Sequence, residues 1–252
     1  MRTKKELKTY LDTQYALYNQ PDKLSGYPDP LIVAKEHQNE RVALVCALFA
    51  YGNVKAIVKF LQSLDFSLLN QSEPNIKKAL QIHYYRFQTN EDICALFIAL
   101  SRLEDTLENI FTTGYRQNGQ MIEGILHTIK HLQNLYPRTS RGYQFLLGQS
   151  VHKTSPKQYS TYKRWNLFLK WMIRSDNIDM GLWNGNEHLS ASNLIVPMDT
   201  HLFSVGLKLK LIKNKQANLQ TAMELTEALA KFDKNDPTKY DFALYRIGQN
   251  RV

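Results

Sequence analysis

Lys163 and Asp199 are the residues of this chain whose types and settings point most directly to chemistry. Lys163 falls in the first turn of a helix read from "TYKRWNLFLKWMI", where unsatisfied N–H groups and the helix dipole make the potential positive. An acidic residue suits that position better than a cation. An ammonium placed there, partly buried and next to Arg164, is disfavoured relative to the neutral amine, and a neutral amine is a nucleophile. Asp199 stands between the apolar run "LIVP" and the amphipathic "LFSVGLKL". A carboxylate there caps a helix, and Pro197 stiffens the segment that presents it. Beside Lys163 the same carboxylate would accept the amine's proton and stabilise positive charge developing on a sugar. Capping alone also accounts for Asp199, and a solvated or phosphate-contacting role for Lys163. His201, two residues on, is either a titrating group or a hydrogen-bonded structural histidine.

The stretches on either side of this pair are basic. The chain has 32 Lys and Arg against 23 Asp and Glu, a formal charge of +9. Lys153, Lys157, Lys163, Arg164, Lys170 and Arg174 lie between 152 and 174, and Lys208, Lys210, Lys213 and Lys215 follow Asp199. Such an excess favours a polyanionic partner, nucleic acid first. Trp165, Trp171, Trp183 and Phe203 are aromatics suited to sandwiching a purine, with Trp183 and Phe203 the candidates for the wall of a base pocket. The same rings on an apolar stripe also suit a core.

The elements that must position these residues read as helices almost throughout. "NERVALVCALFAYGNVKAIVKFLQSL" has apolar residues at helical spacing on both sides of a break at Tyr51-Gly52-Asn53. "NEDICALFIALSRLEDTLENIF" repeats the pattern after Asn90, read as an N-cap, and "GQMIEGILHTIKHLQNLY" ends at Pro137. In the helix of Lys163, Trp165, Phe168, Leu169 and Met172 form one stripe, and Ser160 or Thr161 is the expected cap. After Asp199 the stripe is Leu202, Val205, Gly206 and Leu209. "NLQTAMELTEALAKF" and "DPTKYDFALYRIGQ" follow, the latter with Asp236 as cap, Pro237 at the first helical position, and Tyr240, Ala243, Leu244 and Ile247 on one face. "PDKLSGYPDP" is a turn-rich linker, and "LSASNLIVPM" a loop or extended segment. The fold class is all-α with around ten helices, arranged as an N-terminal helix and linker over 1–30 and a main domain over 31–252.

At 252 residues the chain is long enough for one large domain or two small ones. "VALVCALFAYG" is too short to span a bilayer and reads as a buried helix. The N-terminus lacks the apolar core of a secretory signal, so a cytoplasmic protein is expected. Cys46 and Cys94 sit in apolar helical stretches and are too few for a disulfide framework, a zinc site or an iron–sulfur cluster.

Several motifs together resemble the helix-hairpin-helix DNA glycosylases (HhH-GPD), the superfamily that includes endonuclease III. "VPMDTHLFSVGLKL" is similar to the superfamily's V-D-T-H-V segment, whose essential Asp falls on Asp199. "YKRWNLFL" is similar to its K-T-A-N-V-V-L segment, whose nucleophilic lysine falls on Lys163. "ALFAYGNVKAIVKFLQSL" looks like the first core element, which puts Tyr51 or Asn53 where the family inserts a residue into the DNA stack. As a whole the chain looks closest to a bacterial family with "AYG", "KRxNLFLRWM" and "DTH…DPxKYDFALFRxG" signatures. Archaeal 8-oxoguanine DNA glycosylases of the AGOG type are more distant relatives.

The resemblance implies two helical lobes around a cleft, the second at approximately 90–200. It also implies a base-excision glycosylase with associated lyase activity, which flips out an oxidised base, most naturally 8-oxoguanine, and excises it through a Schiff base on Lys163. Its partner would be double-stranded DNA containing a damaged base, met by a monomer without cofactor or metal, near the nucleoid. Lys157, Ser160, Thr161, Arg164, His201 and Lys208 would contact that DNA. The pattern departs from the family in three places, the first being a Lys163-to-Asp199 interval longer than in endonuclease III. "SPKQYSTYK" has no glycine where the hairpin's L-P-G-[VI]-G brings backbone N–H groups against a phosphate, so Ser160, Thr161 and Tyr162 would have to substitute. The C-terminal four-cysteine motif is absent. A non-catalytic DNA-binding or adaptor protein on the same scaffold, a glycosylase for alkylated bases and a helical RNA-binding module are the alternatives.

Overall fold

The computed structural model describes residues 3–249, apart from the side chains of 25 and 246–249. The described residues are helical without a β-strand, and two isolated bridges, Tyr85 with Gln88 and Ser175 with Met180, are the only extended pairings among them. In chain order the α-helices are α1 (Lys4–Tyr18), α2 (Pro21–Ser25), α3 (Pro30–His37), α4 (Glu40–Leu48), α5 (Val54–Gln62), α6 (Glu73–Leu80) and α7 (Asn90–Ser101). They continue with α8 (Leu107–Tyr115), α9 (Met121–Leu135), α10 (Arg141–Leu147), α11 (Lys163–Ile173), α12 (Thr200–Lys208), α13 (Leu219–Ala230) and α14 (Asp241–Gln249). Four short 3-10 turns punctuate them, among them Pro156–Gln158 and Pro237–Tyr240. No helix among the described residues is long and apolar enough to cross a membrane.

The chain divides into two compact units, one of residues 29–152 and one that joins 1–28 to 153–252. This division differs from the sequence boundaries: the stretch 90–200 is split between the units, and α1 belongs with the C-terminal half instead of standing apart. α1 packs on α14 through Leu11, which is fully buried, and Tyr240 donates from its hydroxyl to Asp12 Oδ1 at 2.6 Å.

In the unit of 29–152, α4 and α7 form the interior, because nearly every position from 42 to 50 and from 92 to 100 is buried. Helices buried all round carry apolar residues on every face, which explains their weak periodicity. Cys46 and Cys94 are buried free thiols there, and burial pushes both thiols up from the ordinary range. The break between α4 and α5 falls where the sequence puts it. Gly52 has φ +101°, a backbone conformation that residues with a Cβ rarely adopt, so glycine is favoured there. Asn53 then caps α5, its Oδ1 accepting from Lys55 and Ala56 N–H at 3.0 and 3.3 Å. Two expectations are corrected here. Thr89, not Asn90, caps α7, in a capping box with Asp92, and the pattern after Asn90 is two helices, since α7 stops at Ser101 and Thr106 caps α8.

In the other unit the core joins Leu11 of α1, Val196 and Met198 of the extended segment, Leu202 and Val205 of α12, Leu225 of α13 and Leu244 of α14. "LIVPM" is thus a buried strap that delivers Asp199 to the head of α12. The C-terminal motif begins with a 3-10 turn at Pro237 before α14, and Asp236 makes no side-chain cap there. It binds Arg174 instead. Ile247 of the expected apolar face has its side chain outside the described residues.

Candidate functional site

Lys163 is the first residue of α11, half-buried, with no acidic residue in the first turn. Neither Ser160 nor Thr161 caps the helix, which corrects the sequence expectation. The N-cap is Tyr162, in the left-handed conformation at φ 46° and ψ 35°, with no side-chain cap bond. That conformation costs a non-glycine residue roughly 1–2 kcal/mol. The buried Tyr162 ring, packed near Tyr159 with centroids 6.0 Å apart, offsets it. A tyrosine therefore holds the turn geometry for which glycine is the usual choice, between the Pro156–Gln158 turn and α11. Ser160 Oγ accepts from Tyr162 N–H at 3.4 Å, and the Thr161 carbonyl accepts from Asn166 Nδ2 at 2.9 Å.

Asn166 lies one turn after Lys163, on the same side of α11 by its i, i+3 spacing. It is buried, and its Oδ1 has no hydrogen-bond partner among the described residues. A buried acceptor left unpaired is costly, and His83 Nδ1, the Tyr143 hydroxyl and Asp241 Oδ1 share that state among the described residues. Sequence reasoning noted Asn166 only as part of the motif; its signal was a polar residue in an otherwise apolar helix interior.

Asp199 caps α12, as the residue type predicts. Its Oδ1 accepts from both His201 and Leu202 N–H at 2.9 Å. No hydrogen bond or ion pair among the described residues engages Oδ2, and the residue is half-buried. One oxygen of the carboxylate is structural and the other is uncommitted. Lys163 and Asp199 belong to the same compact unit.

The other residues singled out from the sequence fall as follows. His201 is half-buried, its ring edge-on to Tyr245 at 5.7 Å. Arg164 is half-buried, and Lys157 and Lys208 are exposed. Phe203 packs against the core, and Trp183 is 3% exposed, edge-on to Phe168 at 5.3 Å, so its ring faces the interior. Tyr51 and Asn53 lie in the other unit.

Two members of the basic stretch are not surface cations. Lys170 and Arg174 are buried at the far end of α11 from Lys163. Lys170 Nζ donates to Asp179 Oδ1 at 3.0 Å and sits 3.2 Å from Asp241 Oδ1, although no hydrogen bond is directed at that oxygen. Arg174 binds Asp179, Asp176 and Asp236, the last through Nε and Nη2. Burial disfavours the charge on both cations, but Asp179 above all outweighs it and holds them charged. Burial raises Asp241 to about 6 despite Lys170. For Asp176 burial works upward too, and the Arg174 guanidinium outweighs it, leaving the carboxyl below its ordinary value. A small cavity of about 10 Å³ opens onto this network, and each charged side chain lining it is already ion-paired.

This network shifts the charge of the surface. The unit of 1–28 and 153–252 contains 20 Lys and Arg against 12 Asp and Glu, and the other unit 12 against 11. Four of those 12 acids are taken up around Lys170 and Arg174. The remaining surface is more basic than the composition. Among the described residues no cluster of His, Cys, Asp or Glu could hold a metal ion.

Fold and site together define an all-helical protein with a strongly basic unit, a helix opened by a lysine and a helix capped by half of a carboxylate. A family model described as a protein of unknown function (DUF2400) matches residues 29–250, and the chain belongs to that family. No curated protein and no solved structure matches it.

Proposed function

We propose that this protein is a DNA base-excision glycosylase with associated lyase activity, acting on an oxidised base, 8-oxoguanine first. Support comes chiefly from Asp199: it caps α12 through Oδ1 alone and keeps Oδ2 without a hydrogen-bond partner, in the same unit as Lys163. The cap's hydrogen bonds occupy one oxygen, which leaves the other available to a substrate. Catalytic contacts often tighten only once substrate is bound.

In the proposed reaction the Lys163 amine donates its electron pair to C1′ of the flipped nucleotide. The C1′–N bond breaks and the base leaves with the electron pair of that bond, taking up a proton from water. Asp199 Oδ2 accepts the proton lost from Lys163 Nζ and offsets positive charge on the sugar. Opening of the sugar gives an imine, a C2′ proton is lost, and the C3′–O bond breaks to nick the strand. The basic surface around Lys157 and Lys208 holds the phosphates.

The test is a panel of duplexes, each with one modified base, assayed for base release and for nicking. Release from the 8-oxoguanine duplex, lost in Lys163→Ala, is expected. A chain that binds these duplexes and releases no base from any is a DNA-binding module instead.

A further inference from the structure

The unit of 29–152 holds three aromatic rings in mutual contact at its surface. Phe87, 48% exposed, and Phe145, 42% exposed, meet edge to face with centroids 4.9 Å apart. Both touch Tyr51, at 6.3 and 5.0 Å. Tyr51 is fixed from beneath: its hydroxyl donates to Oε1 of the buried Gln88, whose Nε2 donates to the Gly142 carbonyl at 3.3 Å. The Tyr85 hydroxyl donates to the Tyr51 carbonyl at 2.6 Å. Three segments are thereby locked together, and the two phenylalanines they present stay in water. Burial is the favoured state for such rings, so a rigid exposed group of them marks a contact surface.

The charge around the rings narrows what makes that contact. The segments that build the shelf, 49–62, 74–90 and 139–152, contain no Asp or Glu. They carry Lys55, Lys59, Lys77, Lys78, Arg86 and Arg141, of which Lys77 pairs with Glu73 just outside. Asp92 reaches the third segment, where the Ser140 hydroxyl donates to its Oδ1, and it is paired with Arg138. Arg86 Cζ is 5.7 Å from the Tyr51 ring centroid, and Arg141 shares a face of α10 with Phe145 at i, i+4 spacing. Aromatic faces beside cations, with the flanking carboxylates of Glu91 and Asp92 already paired to Arg138, suit a polyanion whose repeating groups are themselves flat rings.

We infer that this shelf binds unpaired nucleotides of a nucleic-acid strand. Bases stack on Phe87 and Phe145, and Arg86 and Arg141 draw the phosphates. The shelf requires no chemistry at Lys163 and goes beyond the activity proposed above.

Fluorescence anisotropy of the full chain with a labelled oligothymidylate tests it. Phe87→Leu and Phe145→Leu keep apolar bulk but remove the π face, and each is expected to weaken binding roughly 5- to 150-fold, the range for losing one stacked base. Phe87→Tyr and Phe145→Tyr should restore it. Arg86→Gln should flatten the salt dependence by about 0.7 in log–log slope. Wild-type protein that does not bind the oligonucleotide, or leucine variants with native melting and unchanged affinity, would overturn the inference. Oligothymidylate binding without base release from any lesion would refute the glycosylase and leave the shelf standing; the opposite pair of results would do the reverse.

Discussion

Asp199 separates two roles that a single substitution can test. Asparagine caps helices about as well as aspartate, so Asp199→Asn should keep the Oδ1 bonds to His201 and Leu202 and cost less than about 1 kcal/mol of stability. It removes the charge on the uncommitted oxygen, and base release should fall by about 10²-fold or more. Asp199→Ala should lose both, with about 1 kcal/mol of stability added to the loss of rate. Equal activity in Asp199→Asn and wild type would reduce the residue to a cap. The capping role was legible in the sequence, because an Asp before an amphipathic run has few other local uses. The division of labour between its two oxygens was not, since it depends on which backbone amides reach which atom. Tyr162 is a second case of this kind. The missing hairpin glycine could be read directly, but not that a buried tyrosine would take the left-handed conformation, because that choice rests on ring packing.

At the scale of elements, periodicity located the longer helices but not α2, α3, α6 or α10, the first of which lies in the stretch read as a linker, and it missed what fixes one helix against another. α11 shows why. Its apolar stripe was plain, yet Lys170 and Arg174 counted as part of a basic surface when they are the interior anchor of the helix. Their partners Asp236 and Asp241 lie far along the chain, beyond any local pattern. The anchor has a pH signature. Asp241 is raised to about 6, above the roughly 3.9 of an unfolded carboxyl, so the folded chain binds that proton more tightly. Its contribution therefore favours folding at low pH and is lost as pH rises from about 4 to about 6. Asp176 is shifted the opposite way, and its contribution is lost only as pH falls below the ordinary carboxylate range. Denaturant melts of wild type and Asp241→Asn between pH 4 and 7 separate the effects. The stability of wild type relative to the variant should drop by up to about 3 kcal/mol over that interval. A constant difference would mean that Asp241 stays ionised throughout.

For the molecule as a whole, the charge of +9 is concentrated in one unit and pushed outward by the buried carboxylates. Lys153, Lys157, Lys208, Lys210, Lys213 and Lys215 are all exposed. If each of these neutralises one phosphate, log affinity for duplex DNA should fall against log salt with a slope near −5, and each Lys→Gln should flatten it by about 0.9. A slope indifferent to these lysines would move the interface elsewhere. The sequence conveyed the excess of charge but not its sorting, because burial of Lys170 and Arg174 follows from tertiary contacts. The central claim, that Lys163 forms a covalent bond with a nucleotide sugar, is tested most directly by borohydride trapping on an 8-oxoguanine duplex. A reduced adduct, mapped by peptide mass to Lys163 and absent in Lys163→Ala, is predicted. No adduct from wild-type protein on this or any lesion duplex, or an adduct that persists in Lys163→Ala, would contradict it.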